Sequence, residues 1–284
     1  MKNFFVIANK GKEETTQLKK DIKDYLMAHG ANCTYDDGPD VAVKKGYTNP
    51  DSVPEDTECV IVLGGDGTML KAAFDLIDRG IPFLGINMGN LGYLASVEKA
   101  DTYKALDQML ADDYIIEQRM MVFGAVKVDG EIVEEPRALN EIVIKGKGTM
   151  QVSYLDVFVN GLYLHKYQGD GIIVATPTGS TGYSLSAGGP IVSPTAQMII
   201  MTPVCSHSMQ NRGVVFSSED TIEIVIDEGR YGTDQEVIAL FDAANRIPMK
   251  SGDSITIKKS EKITKIVKLK EESFLETLHN KLEG

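Results

Sequence analysis

Two stretches of this chain combine residue types suited to handling phosphate. The first is Leu63-Gly64-Gly65-Asp66-Gly67-Thr68-Met69-Leu70. A loop this bare lets a ligand approach main-chain N–H groups. A helix that follows it adds unpaired N–H groups and positive partial charge at its N-terminus. Gly64, Gly65, Gly67 and Thr68 are the candidate phosphate-binding residues. Asp66 is the odd member, because a carboxylate repels a phosphate held there. It has a use if it accepts the proton of a substrate hydroxyl, or if it helps bind Mg²⁺ beside the phosphates. The plainer reading is an Asp-Gly turn in which Asp66 or Thr68 caps the helix. Lys71, about one helical turn beyond Asp66, either faces the phosphates or is a solvated surface lysine.

The second stretch runs from Gly169-Asp170-Gly171 through an apolar segment into Thr176-Pro177-Thr178-Gly179-Ser180-Thr181-Gly182-Tyr183-Ser184-Leu185-Ser186-Ala187-Gly188-Gly189-Pro190. Hydroxyls and free N–H groups can bind ribose, amide or phosphate oxygens without steric conflict. Tyr183 offers a flat face to a heterocycle, or is an ordinary half-buried tyrosine. Seven of the 27 glycines lie in 64–92 and seven more in 161–189. Two such clusters point to one ligand site built from both halves of the chain. The alternative is that they are turns in loop-rich regions.

Absent signatures narrow the chemistry. There is no GxxxxGK[ST], and no GxGxxG follows the first strand, which argues against a P-loop enzyme and an ordinary dinucleotide dehydrogenase. Cys33, Cys59 and Cys205 are far apart with no CxxC, so neither a disulfide scaffold nor a zinc ribbon is expected, and reduced thiols fit the cytoplasm. His29, His165, His207 and His279 are as scattered, and no metal-ligating spacing occurs. Cys205 and His207 stand two apart, but no acid to orient them is evident. The formal net charge is −12, from 29 Lys and Arg against 41 Asp and Glu. Such a chain repels nucleic acid and anionic membranes. No 18-residue apolar run is present, so no transmembrane helix is expected, and the N-terminal stretch lacks a signal-peptide plan.

The positioning elements are legible from periodicity. Phe4–Ala8, Cys59–Leu63 and Phe83–Ile86 are short apolar runs, as expected of strands buried on both faces of a parallel sheet. Leu18, Ile22, Tyr25 and Leu26 recur at helical spacing, with Gly30 as a stop. Met69, Leu70, Ala72, Ala73, Phe74, Leu76 and Ile77 indicate a largely buried helix. Strand–helix–strand order predicts a doubly wound α/β domain over residues 1–118, with its ligands at the C-terminal ends of the strands. Residues 119–262 read as β-rich. Asp129-Gly130 and Asn160-Gly161 are hairpin turns, and Thr221–Ile226 and Ser254–Ile257 alternate. Residues 263–284 read as a short strand and a helix, with Phe274, Leu275, Leu278 and Leu282 on one face, returning to the first domain.

Taken together, Gly64-Gly65-Asp66-Gly67-Thr68, Gly85-Ile86-Asn87-Met88-Gly89-Asn90-Leu91-Gly92-Tyr93-Leu94, Asn140-Glu141 and Gly169–Pro190 resemble the NAD kinases. The GGDGT element alone is shared with diacylglycerol and sphingosine lipid kinases, and a close variant occurs in phosphofructokinases; the combination is specific. The likeness extends over nearly the whole chain, including the Ser273-Phe274-Leu275 tail. It implies an α/β domain followed by an all-β, sandwich-like domain, the NAD kinase and diacylglycerol kinase-like architecture. The implied activity is ATP-dependent phosphorylation of the adenosine ribose 2′-hydroxyl of NAD⁺ to give NADP⁺, with polyphosphate as another possible donor. Mg²⁺ or another divalent cation and a homo-oligomer, a dimer or tetramer, are implied as well. By this resemblance Asp66 is the proton acceptor, Gly67 its substrate-contacting neighbour, and Asn140 and Glu141 the NAD-binding pair. Asp170 matches the acid of the DG element. Thr181, Gly182, Tyr183, Ser184, Leu185 and Ser186 match the substrate loop, and Thr178 falls where the family often has Ser or Thr. The family often has Asp-Gly-Gln or Asp-Ser-Gln near the end of the second domain. Here the counterpart is Asp242-Ala243-Ala244, and alanine supplies no amide. Two other readings remain: a lipid or sugar kinase of the GGDGT group, and a non-catalytic NAD(P)-binding regulator.

Overall fold

The computed structural model describes residues 1–8, 13–35, 48–89, 92–148, 152–207, 212–242, 244–269 and 274–283. Asn90 and Leu91 of the glycine motif, Ala243 and Ser273 lie outside the described residues. Contacts divide the chain into two units, Met1–Gln118 with Ile263–Gly284, and Arg119–Lys262.

The first unit contains β1 (Asn3–Ala8), α1 (Glu13–Ala28), β2 (Asn32–Tyr35), β3 (Cys59–Leu63), α2 (Asp66–Asp75), β4 (Phe83–Asn87), the short β5 (Val97–Glu98) and α3 (Thr102–Leu110). Its strands pair in parallel in the order β2-β1-β3-β4, with β5 beside β4. Every residue of β3 and of Phe83–Ile86 is buried, which is why these strands read as unbroken apolar runs. Helix α1 turns Leu18, Ile22 and Leu26 into the core with Phe4, Val6, Ile61 and Leu63. Burying side chains of this size is worth roughly 1.5–3 kcal/mol each. Gly30 ends that segment in the left-handed region, at φ 80°. The strand order reverses direction between β1 and β3. In open α/β sheets the crevice at such a switch point, at the carboxyl ends of the strands, receives ligands. Here it places Gly64–Thr68 at the end of β3.

The second unit is almost entirely antiparallel. It begins within β6 (Tyr114–Val128) and continues through β7 (Glu131–Glu134), β8 (Arg137–Ala138), β9 (Glu141–Gly146), β10 (Ser153–Val159), β11 (Leu162–Gly169) and β12 (Gly171–Ala175). The single-turn helix α4 (Tyr183–Ser186) precedes β13 (Met198–Val204), β14 (Val214–Ser217), β15 (Ile222–Ile226), β16 (Glu236–Phe241), β17 (Asn245–Lys250) and β18 (Ser254–Leu269). One layer has the order β14-β13-β12-β9-β16-β17 and the other β11-β10-β15-β18, with β6 beside β18. Inward residues of both layers, among them Ile144, Ile172, Phe241, Leu155, Ile224 and Ile255, make one core. That is the arrangement of a sandwich. Asp129-Gly130 and Asn160-Gly161 are two-residue turns with positive φ at both positions, as type I′ hairpins require.

Two differences from the periodicity reading concern length. The strands seen at Ala125–Val128 and Ser254–Ile257 are the ends of fifteen- and sixteen-residue strands. Both strands pass from one unit into the other, so their burial pattern changes partway and conceals their extent. Helix α2 buries one face only, through Thr68, Met69, Ala72 and Ala73. Leu76 lies just beyond its end and Ile77 starts a separate turn. Helix α5 (Phe274–Glu283) closes the chain. Among the described residues no helix is long and apolar enough to cross a membrane.

Candidate active site

In the first unit the site grows from one close approach. Gly64 is buried against Thr68: a Cβ at Gly64 would lie 2.3 Å from Thr68 Oγ1. Thr68 is buried and packs against the backbone of the loop at Gly64. Gly65 is the N-cap of α2 and has no side chain with which to cap, so neither Asp66 nor Thr68 caps the helix. Added Cβ atoms at Gly65, Gly67 and Gly89 would meet nothing within 4 Å. These three backbone positions face open space, as the phosphate reading of the loop requires. Lys71 is exposed on α2.

Asp66 is the first residue of α2, and its carboxylate does something the sequence did not reveal. Oδ2 accepts the N–H of Tyr93 at 2.9 Å, and Oδ1 accepts those of Leu94 and Ala95 at 3.0 Å each. One side chain thus holds three successive amides of the segment after β4. Gly92 makes this possible, since a Cβ there would lie 1.9 Å from Asp66 Oδ1. Gly85 does the same on the other side of the segment, with its would-be Cβ 2.7 Å from Ala95 Cα. The motif glycines at 85 and 92 thus bring the 92–95 segment against β4 and Asp66. A carboxylate has about four lone-pair sites, so one, on Oδ2, stays free. Asn87 belongs to the same motif. In register it follows Ile86, which opposes Leu63, so it stands at the end of β4 level with Gly64. It is buried, its Oδ1 accepts the Gly89 N–H at 2.9 Å, and its Nδ2 has no partner. Only a side-chain donor with nothing to bond, beside a glycine loop, would have singled it out.

In the second unit the site forms where β9 and β12 end together. Their antiparallel register sets Glu141 opposite Ala175. Thr176 N and Oγ1 donate to Asn140 O and Leu139 O at 2.8 and 2.6 Å. Gly179 lies on the Asn140 backbone, its would-be Cβ 2.2 Å from Asn140 O. A Cβ at Gly182 would be 3.2 Å from Glu141 Oε2 and 3.4 Å from Asn140 Nδ2. The glycines of the second cluster therefore bring the Thr176–Gly182 loop down onto the Asn140–Glu141 pair. Ala187 and Val192 anchor the loop on Val143, Ile173 and Ala175, the outer apolar face of the sheet.

Three buried oxygens here have no partner: Asn140 Oδ1, Glu141 Oε2 and Thr178 Oγ1. Buried polar atoms are nearly always hydrogen-bonded, so a cluster of orphans at one loop marks a place for a ligand with donor groups. Burial, with Asp242 beside it, pushes the Glu141 carboxyl up to about 8. Glu141 is thus mainly protonated near neutrality and can donate as well as accept.

The substrate-loop residues divide. Tyr183, Leu185 and Ser186 are exposed, and Thr181 and Gly182 are partly so. Ser184 is fully buried, with its Oγ 3.0 Å from Thr202 Oγ1. Its hydroxyl, expected to meet substrate, ties the loop to β13, because on this single helical turn position 184 faces the sheet. Asp170 is not brought to Asn140 and Glu141. It precedes β12 at the end opposite Thr176, six residues away, roughly 20 Å at about 3.3 Å per residue. There its carboxylate hydrogen-bonds the Cys205 thiol and pushes it up. The acid near Cys205 and His207 that the sequence did not disclose thus works against thiolate formation.

The Asp242 segment carries Ala244, with no amide to offer, two residues on. Its carboxylate turns out to be a second clamp. Oδ2 accepts the N–H of Leu139 at 2.6 Å, and Oδ1 those of Asn140 and Glu141 at 2.9 and 3.0 Å. Among the described residues no three His, Cys, Asp or Glu side chains are grouped to hold a metal ion.

The chain is similar to known proteins over nearly its whole length. Residues 4–114 match the family model of the ATP-NAD kinase N-terminal domain, and residues 139–269 that of the ATP-NAD kinase C-terminal domain. The NAD kinase of Agathobacter rectalis is 41% identical over 283 residues, covering 99% of both chains. That of Lachnoclostridium phytofermentans is 39% identical over 283 residues, with the same coverage. A crystal structure of an NAD kinase from Archaeoglobus fulgidus in complex with ATP superposes with TM-score 0.79 at 25% identity, over 99% of this chain and 98% of that one. Yeast NADH kinase complexed with NADH has the same fold, with TM-score 0.85 at 23% identity, over 100% of this chain and 88% of that one.

Proposed function

The chain belongs to the NAD kinase family, and we propose that Asp66 is the proton acceptor of its reaction and that Asn140, Glu141 and Thr178 recognise the adenosine of NAD⁺. The enzyme phosphorylates NAD⁺ to NADP⁺ with ATP. The observation that carries the assignment of Asp66 is its fixed carboxylate, which keeps a lone pair free beside backbone positions open to a ligand.

The 2′-oxygen of the adenosine ribose attacks the γ-phosphorus of ATP. The bond from that phosphorus to the β,γ-bridging oxygen breaks, and ADP leaves with the electron pair. The hydroxyl proton passes to Asp66. A secondary alcohol is far too weak an acid to ionise first, so Asp66 takes the proton late, as the new bond forms. The three N–H groups keep the carboxylate from swinging away between turnovers. The amides at the start of α2 and the free Asn87 Nδ2 receive phosphate oxygens.

Mg²⁺ fits this loop as a partner of the nucleotide phosphates, since the one lone pair left to Asp66 takes the substrate proton and no group of acidic side chains that could hold a metal ion stands among the described residues. When bound it neutralises charge on the phosphate oxygens.

The three orphaned oxygens of the second unit ask for donors. Adenosine supplies two ribose hydroxyls and an exocyclic amine. Tyr183, exposed beside them in sequence, offers its ring to the base.

Asp66→Asn tests the first assignment. The amide retains one oxygen for the Leu94 and Ala95 N–H groups but cannot take a proton. NADP⁺ formation, followed with an NADP-specific dehydrogenase, should fall about 100-fold or more, within the range for a lost general base. Binding of NAD⁺, measured by calorimetry, should persist. Near-normal turnover by Asp66→Asn would remove Asp66 from the chemistry.

A further inference from the structure

The Asp242 carboxylate reaches back across the end of the sheet to the strand it has just left. Strand β16 pairs with β9 up to Phe241 opposite Ile142. The next residue would continue opposite Glu141, but Asp242 turns into the left-handed region, at φ 46°. Asparagine and aspartate tolerate this region better than other residues with side chains. The turn leaves Asp242 N donating to Glu141 O at 3.1 Å while the side chain collects the N–H groups of Leu139, Asn140 and Glu141. These amides lie at the start of β9, where the ladder to β16 gives out.

We propose that Asp242 is the positioning residue of adenosine recognition: it holds the backbone of residues 139–141 so that Asn140 and Glu141 present their side-chain oxygens to NAD⁺. The proposal rests on the substrate reading given above. With the backbone bonded to Asp242, the Asn140 and Glu141 side chains are not drawn into capping their own strand end, and Asn140 Oδ1 and Glu141 Oε2 are left without a protein partner.

The arrangement has an electrostatic consequence. Around Glu141, β12 contributes Ala175, β9 continues with Ile142, β16 ends in Phe241, and the loop contributes Gly179 and Gly182, followed by Tyr183. Asp242 is the charge that acts on Glu141, and what offsets burial of Asp242 is the three backbone N–H groups. Burial first, and the Asp242 charge after it, keep Glu141 protonated at a pH where an exposed glutamate is ionised. Replacing Asp242 by an uncharged residue both loosens the strand end and lets Glu141 ionise earlier.

The test uses the full chain and steady-state NADP⁺ formation from about pH 6 to 9, with NAD⁺ and ATP varied separately, for the wild type, Asp242→Asn and Glu141→Gln. Asp242→Asn keeps the side-chain shape but sets an NH₂ group against one of the three N–H donors. It should raise KM for NAD⁺ about tenfold, the scale of one charge-assisted hydrogen bond, and leave KM for ATP within about twofold. The change in kcat/KM for NAD⁺ near pH 8 should move to lower pH in Asp242→Asn and vanish in Glu141→Gln. An unchanged KM for NAD⁺, an equal rise in both KM values, or an unmoved pH profile overturns the proposal. Should Asp242→Asn fail to fold, Glu141→Gln decides: persistence of the wild-type change near pH 8 overturns it. Absence of NADP⁺ formation by the wild type would instead overturn the substrate reading and the proposal with it.

Discussion

Gly92→Ala is the sharpest perturbation available in the first unit. The new Cβ would lie 1.9 Å from Asp66 Oδ1 and 2.6 Å from Asp66 Cγ, where ordinary contact begins near 3.4 Å. Relief requires the carboxylate or the 93–95 segment to move by about 1.5 Å, the difference between these distances. A shift that large breaks hydrogen bonds that now measure 2.9 and 3.0 Å. A hydrogen bond to a charged group contributes about 1.5–3 kcal/mol net. Losing two of the three, with some relaxation, costs about 3 kcal/mol, to be read by urea denaturation. A misplacement of about 1 Å in a reacting group can cost 100-fold in rate, so kcat should fall by about that factor. Gly89→Ala is the stability control, because its Cβ would meet open space. The decisive measurement is a double-mutant cycle with Asp66→Ala. Any backbone effect of Gly92→Ala appears in both backgrounds, but the clash with the carboxylate appears only when Asp66 is present. Gly92→Ala should therefore cost at least about 2 kcal/mol less in the Asp66→Ala background. An equal cost in both would refute the claim that Gly92 exists to admit the Asp66 carboxylate.

Three further outcomes are expected. Gly179→Ala should abolish measurable NAD⁺ binding, because its Cβ would sit 2.2 Å from Asn140 O, a backbone atom that has no side-chain freedom to yield; retained calorimetric affinity would count against the loop as the recognition element. Stability should fall from about pH 6 to pH 9. Glu141 is held protonated to about 8 in the folded chain against 4.5 for a free side chain, and Asp242 moves the same way, to about 6. The folded state thus binds extra protons; this stabilisation is complete below pH 3.8 and is lost as pH rises through about 6 for Asp242 and about 8 for Glu141; denaturation midpoints of Glu141→Gln should show a flatter decline. Cys205 is exposed while Cys33 and Cys59 are buried. The Asp170 carboxylate holds its thiol protonated, so Asp170→Asn should speed alkylation of Cys205 at pH 8 several-fold, as followed by peptide mass mapping, and an unchanged rate would dismiss that contact.

The fold was legible where burial repeats with the period of the element. Strand β3 is buried on both faces, and α1 is buried on one. Both hairpin turns declared themselves because type I′ geometry needs the residues found there. The glycine clusters were legible as a pattern but not in their purpose. None of Gly64, Gly85 or Gly179 is there for positive φ; each admits a specific neighbour, Thr68, Ala95 or Asn140, that its own position does not announce. Which hydroxyls face the ligand was not legible either. Ser184 and Ser186 differ only in which side of one short turn they occupy, and the sheet beneath decides that. Asp170 was assigned by motif, and strand β12 carries it away from the Asn140 end; no local signal reports the direction in which a strand separates its two ends.

The two acid clamps share a cause. At a strand end the ladder gives out and leaves main-chain amides without partners, yet these amides must be satisfied. A carboxylate meets this need in the smallest volume, since one compact group can accept several N–H bonds. Asp66 and Asp242 each accept three, two on Oδ1 and one on Oδ2. Hydrogen-bond count therefore does not separate the residue that reacts from the one that positions. Surroundings do. The Asp242 carboxyl is enclosed and close to Glu141, so a proton placed on it lies next to another acid and away from any open face. Asp66 stands at the start of a helix between Gly65 and Gly67, whose missing side chains leave its free Oδ2 lone pair an approach. A proton acceptor has to be reached by its substrate, and of the two carboxylates only Asp66 is flanked by residues that leave that path clear.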